Sequence, residues 1–330
     1  MLVNINTTVN SWRSWLLAAR PKTLSGAAVP VMLGIVYAYS SCPEAYNHNI
    51  NGILCALLCL LFAFIMQIDA NFINDYYDCL KGRDTAERLG PERACQQGFV
   101  TMSAMKKAIV LTTIFAAITG LVILYVVYLR QPNIIPTVTL ITVGALCIIF
   151  SFLYTTCLAQ KGLGDLLVII FFGIIPVYFT AYSMMVTVPS ALFLLGTPAP
   201  SIITQIDWRL VMLGISCGLV TDTLLIVNNY RDIDNDKKCG KLTLVVLLGK
   251  RYTEYLYLTL PTLALVIVLC FYGWIPLNIF LTFPVYFLYI GSWQGMKQIG
   301  QGRELNKILG KTARNIFIFG VLTTIIILIN

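Results

Sequence analysis

The chain has 330 residues, of which 58% are hydrophobic and only 12% are charged, and its mean hydropathy is +0.80. Soluble domains carry about 25% charged residues, so this composition excludes an ordinary soluble domain and predicts an integral membrane protein. In such a protein the net charge of +8 indicates basic loops beside the membrane rather than a surface for nucleic acid.

An all-α transmembrane bundle is the predicted fold. A membrane-spanning helix needs about 20 mostly apolar residues, and no linker divides the chain, so we expect a single domain over 1–330 around a central cavity. Nine spans are predicted, near residues 23–40, 52–74, 106–129, 134–153, 164–187, 209–229, 254–273, 276–294 and 312–330.

The distribution of basic residues predicts the orientation of these spans. Of the 23 Lys and Arg residues, 21 fall on the side that carries the N-terminus, and only Arg130 and Arg209 fall on the other side. Because positively charged loops stay in the cytoplasm, we expect a cytoplasmic N-terminus and cytoplasmic catalytic loops at about 75–105 and 230–253. The polar segment 1–10 does not have the form of a signal peptide, which favours a multi-pass protein of a bacterial inner membrane.

Two clusters of aspartate stand where predicted spans run into basic loops. The first contains Asp75 and Asp78 within residues 71–78 (NFINDYYD), and the second contains Asp232 and Asp236 within residues 228–236 (NNYRDIDND). An Asp near hydrocarbon costs a few kcal/mol, so such clusters indicate function. Asp75 and Asp78 follow Asn71 by four and seven residues, and Asp232 and Asp236 follow Asn228 by four and eight. On a helix these spacings place each set on one face. Four facing carboxylates suit Mg²⁺ that also binds substrate phosphate oxygens, so a metal–diphosphate site is predicted.

Several other polar residues are candidates for function, whereas the histidine and the cysteines are not. Cationic side chains surround the clusters and could donate to phosphate: Lys81, Arg83, Arg88, Arg93, Lys161, Arg231, Lys237, Lys238 and Lys241. Asp69 and Asp222 lie inside apolar spans, either as functional acids or as protonated, hydrogen-bonded ones. The only histidine, His48, is predicted on an outer loop, so no histidine-based acid–base chemistry is expected. The ten cysteines fall mostly in apolar runs and are interpreted as buried hydrophobic residues.

At the aspartate clusters the chain resembles the UbiA superfamily of intramembrane prenyltransferases, and within it the branch that serves menaquinone synthesis. The segments that carry this resemblance are 20–24 (RPKTL), 74–84 (NDYYDCLKGRD), 88–91 (RLGP), 98–101 (GFVT), 162–173 (GLGDLLVIIFFG), 229–236 (NYRDIDND) and 240–249 (GKLTLVVLLG). Gly82 stands where the superfamily often has Asp, and Gly82 followed by Asp84 is similar to the menaquinone branch. Asp69 and residues 155–158 (TTCL) depart from the pattern.

The resemblance implies a reaction. A polyprenyl group would pass from polyprenyl diphosphate to 1,4-dihydroxy-2-naphthoate, with loss of CO₂ and diphosphate, to give demethylmenaquinol. The four motif aspartates would hold Mg²⁺, with nearby amides as further ligands, namely Asn71, Asn74 and Asn228. The diphosphate would contact basic and phenolic side chains, namely Lys81, Arg88, Tyr154, Lys161, Arg231 and Lys241. Arg20 and Lys22 are candidates for the naphthoate carboxylate or the diphosphate, and Asp84 could act as base or orient the acceptor hydroxyl.

Alternatives follow from the same residues. The fold could serve another aromatic acceptor, such as 4-hydroxybenzoate, homogentisate or a chlorophyllide, although Gly82, Asp84 and segment 20–24 favour the naphthoate. An ion-coupled transporter would place its acidic site near the bilayer centre, whereas both main clusters are predicted at one rim. A catalytically inactive scaffold is disfavoured because all four motif aspartates are present.

Overall fold

The computed structural model describes residues 9–46, 50–82, 89–90, 92–188 and 206–330. Four residues named above, His48, Arg83, Asp84 and Arg88, lie outside the described residues, as does the side chain of Lys22.

Long helices occur at all nine predicted spans. In chain order the helices are α1 (Trp12–Ala19), α2 (Leu24–Ser41), α3 (Pro43–Tyr46), α4 (Ile50–Leu80), α5 (Met102–Arg130), α6 (Ile134–Thr156), α7 (Gly164–Ile169), α8 (Ile175–Val186), α9 (Trp208–Arg231), α10 (Ile233–Lys238), α11 (Leu244–Tyr272), α12 (Pro276–Ile299) and α13 (Leu305–Ile329). The segment Ile170–Ile174 joins α7 to α8 as one π-helical turn, so the two form a single span.

Eight of the spans are long and apolar enough to cross a membrane. The ninth long helix, α12, has 24 residues but falls outside that set, because proline, glycine, tyrosine and tryptophan interrupt its aliphatic residues. Within the described residues the only β pairing is one isolated bridge between Lys161 and Leu242. The predicted all-α membrane bundle is therefore confirmed, with the count of nine spans approximate.

Two helix boundaries determine where the motif residues lie. Helix α4 has 31 residues and continues through the whole first aspartate cluster before it ends at Leu80. Helix α9 ends at Arg231, and Asp232 adopts a non-helical cap conformation before α10 begins. The first cluster thus stands on one continuous helix, as predicted. The second does not: Asn228 lies on α9 and Asp236 on α10, so the predicted single helical face is wrong there.

Glycine allows the span α7–α8 to pack directly on the backbone of α9. A Cβ atom at Gly173 would lie 2.4 Å from the carbonyl oxygen of Gly214, and one at Gly218 would lie 2.7 Å from the Cα of Ile169. These contacts are backbone to backbone, so neither side can yield without moving a helix. The relative register of these two spans is consequently fixed.

The loops that carry the motifs meet at one end of the bundle. The backbone N–H of Leu242 donates to the carbonyl oxygen of Gln160 at 3.1 Å, and Lys81 Nζ donates to the carbonyl oxygen of Thr156 at 2.9 Å. The side-chain amide of Asn306 donates to the carbonyl oxygen of Leu89 at 3.2 Å. Segments far apart in sequence are thereby joined around the candidate site.

Candidate active site

The first aspartate cluster is tied to the loop that follows α4. Asp75 is fully buried and accepts hydrogen bonds from the backbone N–H groups of Ala94, at 3.0 Å, and Cys95, at 3.3 Å. Asp78 is 22% exposed at its side chain and pairs with Arg93 Nη2 at 2.9 Å. Asp75 therefore anchors the loop by one set of lone pairs, while the more accessible Asp78 faces the polar end of the bundle.

The amides of the first motif contact neighbouring segments. Asn71 Nδ2 donates to the carbonyl oxygen of Ala19 and to the hydroxyl of Thr23, both at 3.0 Å. The hydroxyl of Thr23 donates in turn to the carbonyl oxygen of Arg20 at 2.9 Å. Arg20 itself has a φ of 50°, a left-handed conformation that is uncommon outside glycine. The Asn74 amide oxygen accepts from the Thr155 hydroxyl on α6. Asn71 thus holds the basic entry segment 20–23 against α4.

The second cluster is organised by a buried arginine. Arg231 donates to both carboxyl oxygens of Asp232, at 3.0 and 2.6 Å, and its side chain is 0% exposed. It also donates to the amide oxygen of Asn306 at 2.7 Å and to that of Asn228. Arg231 and Asn228 thus form one network that orients Asp232. Both were predicted to bind substrate, and the structure records their contacts with the motif itself.

Asp236 lies beside the positive charge of Lys241 and within reach of aspartates from both clusters. Lys241 Nζ lies 3.4 Å from the Asp236 carboxylate. Burial raises the pKa of the Asp236 carboxyl, the Lys241 ammonium opposes that rise, and the negative charges of Asp232 and Asp78 add to it. Charges from both clusters thus act on Asp236, although Asp78 and Asp232 lie 154 residues apart in sequence. We call this place the meeting point.

A polar cavity lies next to this meeting point. Its lining residues come from four separate parts of the chain: Tyr154, Ala159, Gly164, Asp165, Leu225, Asn229, Lys241 and Thr243. Lys161, an exposed residue, lies on the rim through its backbone bridge to Leu242. Predicted residues Tyr154 and Lys241 are thus brought together. Lys81 instead reaches the carbonyl oxygen of Thr156 at the end of α6, where a cation is favourable.

Sequence analysis missed two lining residues. Asn229 lines the cavity, whereas the predicted amide was its neighbour Asn228. Asp165 also lines the cavity and is 7% exposed; its signals in the sequence were an acid at the start of an apolar span and its place within segment 162–173, which carries the family resemblance. Asp69, by contrast, accepts hydrogen bonds from Thr112 and Thr113 of α5, so this intramembrane acid ties two helices together.

The donor chemistry at the meeting point fits a hard divalent cation. Asp78, Asp232 and Asp236 supply carboxylate oxygens, which Mg²⁺ prefers, and Mg²⁺ commonly takes only one or two of them together with substrate phosphate. No group of three or more acidic, cysteine or histidine side chains is arranged as a ready-made metal site within the described residues.

The bundle and its site define a class: a polytopic membrane protein with an acidic and basic cavity at one end of its helices. The chain belongs to the UbiA prenyltransferase family, whose pattern matches residues 27–304. It is 32% identical over 240 residues, 72% of this chain and 70% of the relative, to a 1,4-dihydroxy-2-naphthoate octaprenyltransferase of Haemophilus influenzae.

Solved structures share the fold. A UbiA homolog from Aeropyrum pernix K1, solved in its apo form, matches with a TM-score of 0.62 and 15% identity, over 88% of this chain and 96% of that chain. A UbiA homolog from Archaeoglobus fulgidus, bound to DMAPP and Mg²⁺, matches with a TM-score of 0.58 and 14% identity, over 95% and 99%. The helical bundle described above is the UbiA fold.

Proposed function

We propose that this chain transfers a polyprenyl group from polyprenyl diphosphate to 1,4-dihydroxy-2-naphthoate, with loss of CO₂ and diphosphate, in menaquinone biosynthesis. The observation that carries the proposal is the placement of Asp236 beside Lys241, which lines a cavity within the bundle, where the charges of Asp78 and Asp232 also act on Asp236. The named relative supports the choice of acceptor. A multi-pass protein of the bacterial cytoplasmic membrane fits an apolar donor and a soluble, anionic acceptor.

The motif aspartates would hold Mg²⁺ together with the diphosphate. Asp78, Asp232 and Asp236 offer oxygens at the meeting point, and Asp75 would contribute through the lone pairs that its backbone contacts leave. The A. fulgidus homolog binds Mg²⁺ with a prenyl diphosphate. When bound, the cation neutralises diphosphate charge and makes it a better leaving group.

Basic and phenolic side chains of this chain would steady the diphosphate. Lys241 and Tyr154 line the cavity, and Lys161 lies at its rim. Charge-assisted donors of this kind bind phosphate oxygens about twice as strongly as neutral ones. Arg231 acts through Asp232, which it orients. Lys81 and Arg88 remain predicted contacts, the latter from sequence alone.

The acceptor would enter from the same end. Segment 20–23, held by Asn71, carries Arg20 and Lys22, and these cations are proposed to bind the naphthoate carboxylate. The ring carbon that bears the carboxylate attacks the allylic carbon as the C–O bond to diphosphate breaks, and CO₂ then departs. The apolar walls of the bundle exclude water that would capture the allylic cation.

The test is an assay of membranes that contain the full chain, supplied with Mg²⁺, a polyprenyl diphosphate and either 1,4-dihydroxy-2-naphthoate or 4-hydroxybenzoate. We expect prenylated naphthoquinol and CO₂ from the first acceptor only, and no product from Asp78→Ala or Asp232→Ala. Product formed only with 4-hydroxybenzoate would support aromatic prenyl transfer but reject 1,4-dihydroxy-2-naphthoate as the acceptor. A wild-type chain that prenylates neither acceptor would reject the proposed reaction for both.

A further inference from the structure

Asp165 and Asp222 are two buried acids that stand apart from both aspartate motifs. Asp165 is 7% exposed in the first turn of α7, and Asp222 is 2% exposed on α9. Each has one carboxyl oxygen, Oδ1, that is buried without a hydrogen-bond partner in the described structure. Such oxygens are costly unless a donor reaches them.

The packing of the two spans forces these acids together. A Cβ atom at Gly173 would lie 2.4 Å from the carbonyl oxygen of Gly214, and one at Gly218 would lie 2.7 Å from the Cα of Ile169. Along α7–α8 the contact moves back four residues while the contact on α9 moves forward, so the spans are antiparallel. One further turn in the same directions brings Asp165 level with Asp222. The pairing is therefore set by backbone contact, which a change of side-chain rotamer cannot relieve.

One acid of the pair, Asp165, lines the cavity beside the candidate active site. Asp165 lines that cavity together with Tyr154, Asn229 and Lys241. Asp222 and Asn229 are seven residues apart and so share one face of α9. Asp222 precedes Asp232 by ten residues, which is about 15 Å along a helix axis. Asp222 therefore lies further into the bundle than the second motif, while Asp165 lies in the wall of the cavity.

The charge and the hydrogen-bonding capacity of the two acids indicate which kind of ligand group they would bind. A diphosphate is anionic, so two acids would repel it, and it belongs at the mouth beside Lys241. Two carboxyl groups in one apolar site cannot both ionise easily, so they hold a proton between them. Within the described residues the Oδ1 atoms of both acids still lack a donor. A phenolic hydroxyl is a neutral group that supplies such a donor.

We propose that Asp165 accepts the proton of a ring hydroxyl of the aromatic acceptor, and that Asp222 is a positioning residue that orients Asp165 and shares the proton. This inference rests on the proposed function and names a further catalytic residue for it. It also gives a role to Asp222, whose place inside an apolar span the motif chemistry leaves unexplained.

The proposed reaction begins with loss of a proton from the acceptor. The O–H bond of the acceptor breaks and its proton passes to the Asp165 carboxylate, while the oxygen electrons raise the nucleophilicity of the ring. A C–C bond forms to the allylic carbon, and the C–O electron pair leaves with diphosphate. The bond to the carboxylate then breaks, CO₂ departs, its electron pair restores the aromatic ring, and Asp165 returns the proton to the ring oxygen.

The experiment compares Asp165→Asn, Asp222→Asn and Asp84→Asn with wild type, using the purified full chain with Mg²⁺, polyprenyl diphosphate and 1,4-dihydroxy-2-naphthoate. Asp69→Asn is the control for loss of a buried acid, because its partners are Thr112 and Thr113 of α5. We expect Asp165→Asn to lower kcat by about 10²–10⁴-fold, the usual contribution of a general base. The KM for polyprenyl diphosphate should change less than about threefold, because the substitution leaves unchanged those contacts with this substrate that are equally strong in the ground state and the transition state.

The pH profile separates a chemical role from a structural one. Within the described residues the ionisable groups around Asp165 include Tyr154 of α6 and Lys241 of the loop before α11, which line the same cavity, and Asp222 of α9, which the helix packing brings level with it. In Asp165→Asn, kcat should rise with pH as the acceptor hydroxyl ionises by itself, more steeply than in wild type. Asp222→Asn should show a smaller loss of kcat and the same change of profile, whereas Asp69→Asn should keep the wild-type profile.

Several outcomes would overturn the proposal. One is an unchanged kcat in Asp165→Asn; another is a raised KM for polyprenyl diphosphate alone, which would assign Asp165 to the diphosphate. A third is a loss of kcat and a changed pH profile that occur in Asp84→Asn but not in Asp165→Asn. If the Asn variants do not fold, infrared difference spectra of the wild-type chain test the proposal. Naphthoate binding should shift the band of a protonated carboxyl group, and an unshifted band would contradict the proposed role of Asp165 and Asp222. A wild-type chain without activity rejects the proposed function instead.

Discussion

Arg231 holds the carboxylate of Asp232, its neighbour in the chain, through two hydrogen bonds, from Nε at 3.0 Å and from Nη2 at 2.6 Å. The guanidinium is planar and presents several donors in a fixed fork, which a lysine ammonium cannot reproduce. Because α9 ends at Arg231, the backbone alone does not fix the direction of Asp232. The second motif therefore carries its own orienting cation.

Arg231→Lys should keep the charge and lose this geometry. We expect the Mg²⁺ concentration for half-maximal activity to rise about 10–100-fold, as is usual when a group that orients a metal ligand is removed. The measurement is prenyl transfer titrated with Mg²⁺. Lys237→Arg, an exposed cation on the next helix, is the control and should behave as wild type. An unchanged Mg²⁺ requirement in Arg231→Lys would contradict the orienting role.

Asp75→Asn should weaken both the site and the fold. The Asp75 carboxylate accepts from the backbone N–H groups of Ala94 and Cys95, and an Asn side chain offers only one oxygen. Leaving one buried N–H without its acceptor costs about 1–3 kcal/mol. We expect Asp75→Asn to lower the free energy of unfolding by that amount and to abolish activity. Asp234→Asn, at an exposed residue, is the control and should change neither quantity. Lost activity at full stability would mean that Asp75 does not anchor the loop.

Gly218→Ala should destabilise the bundle. Its Cβ would lie 2.7 Å from the Cα of Ile169, and overpacking of this kind costs about 1–3 kcal/mol. Thermal unfolding in detergent measures the effect. The matched control is Gly144→Ala on α6, where a Cβ meets nothing within 4 Å; it should be neutral or slightly stabilising, because Ala favours a helix over Gly by about 1 kcal/mol. Equal melting temperatures for the two variants would refute the close approach.

Removal of divalent cations should abolish prenyl transfer, and added Mg²⁺ should restore it. Asp236→Asn removes one of the carboxylates at the meeting point of the two clusters, so it should raise the Mg²⁺ requirement at least tenfold, the lower end expected for a lost ligand contact. Asp234→Asn, two residues away and exposed, serves as control. Activity that survives thorough chelation would show that the acids do not act through a metal.

The sequence by itself determined the class of this protein. Apolar runs of spanning length can satisfy their backbone only as helices in a membrane, so composition and length determined the all-α bundle. The cost of acids near hydrocarbon made Asp75, Asp78, Asp232 and Asp236 conspicuous, and the resemblance gave them a reaction.

Tertiary structure decided which of these side chains meet. Whether Asn228 or Asn229 lines the cavity depends on the rotation of α9, and the break at Asp232 depends on the contacts of Arg231. The pairing of Asp165 with Asp222 depends on the register of two helices that touch through Gly173 and Gly218. Rotation and register arise from contacts between segments distant in the chain, so local sequence patterns do not contain them.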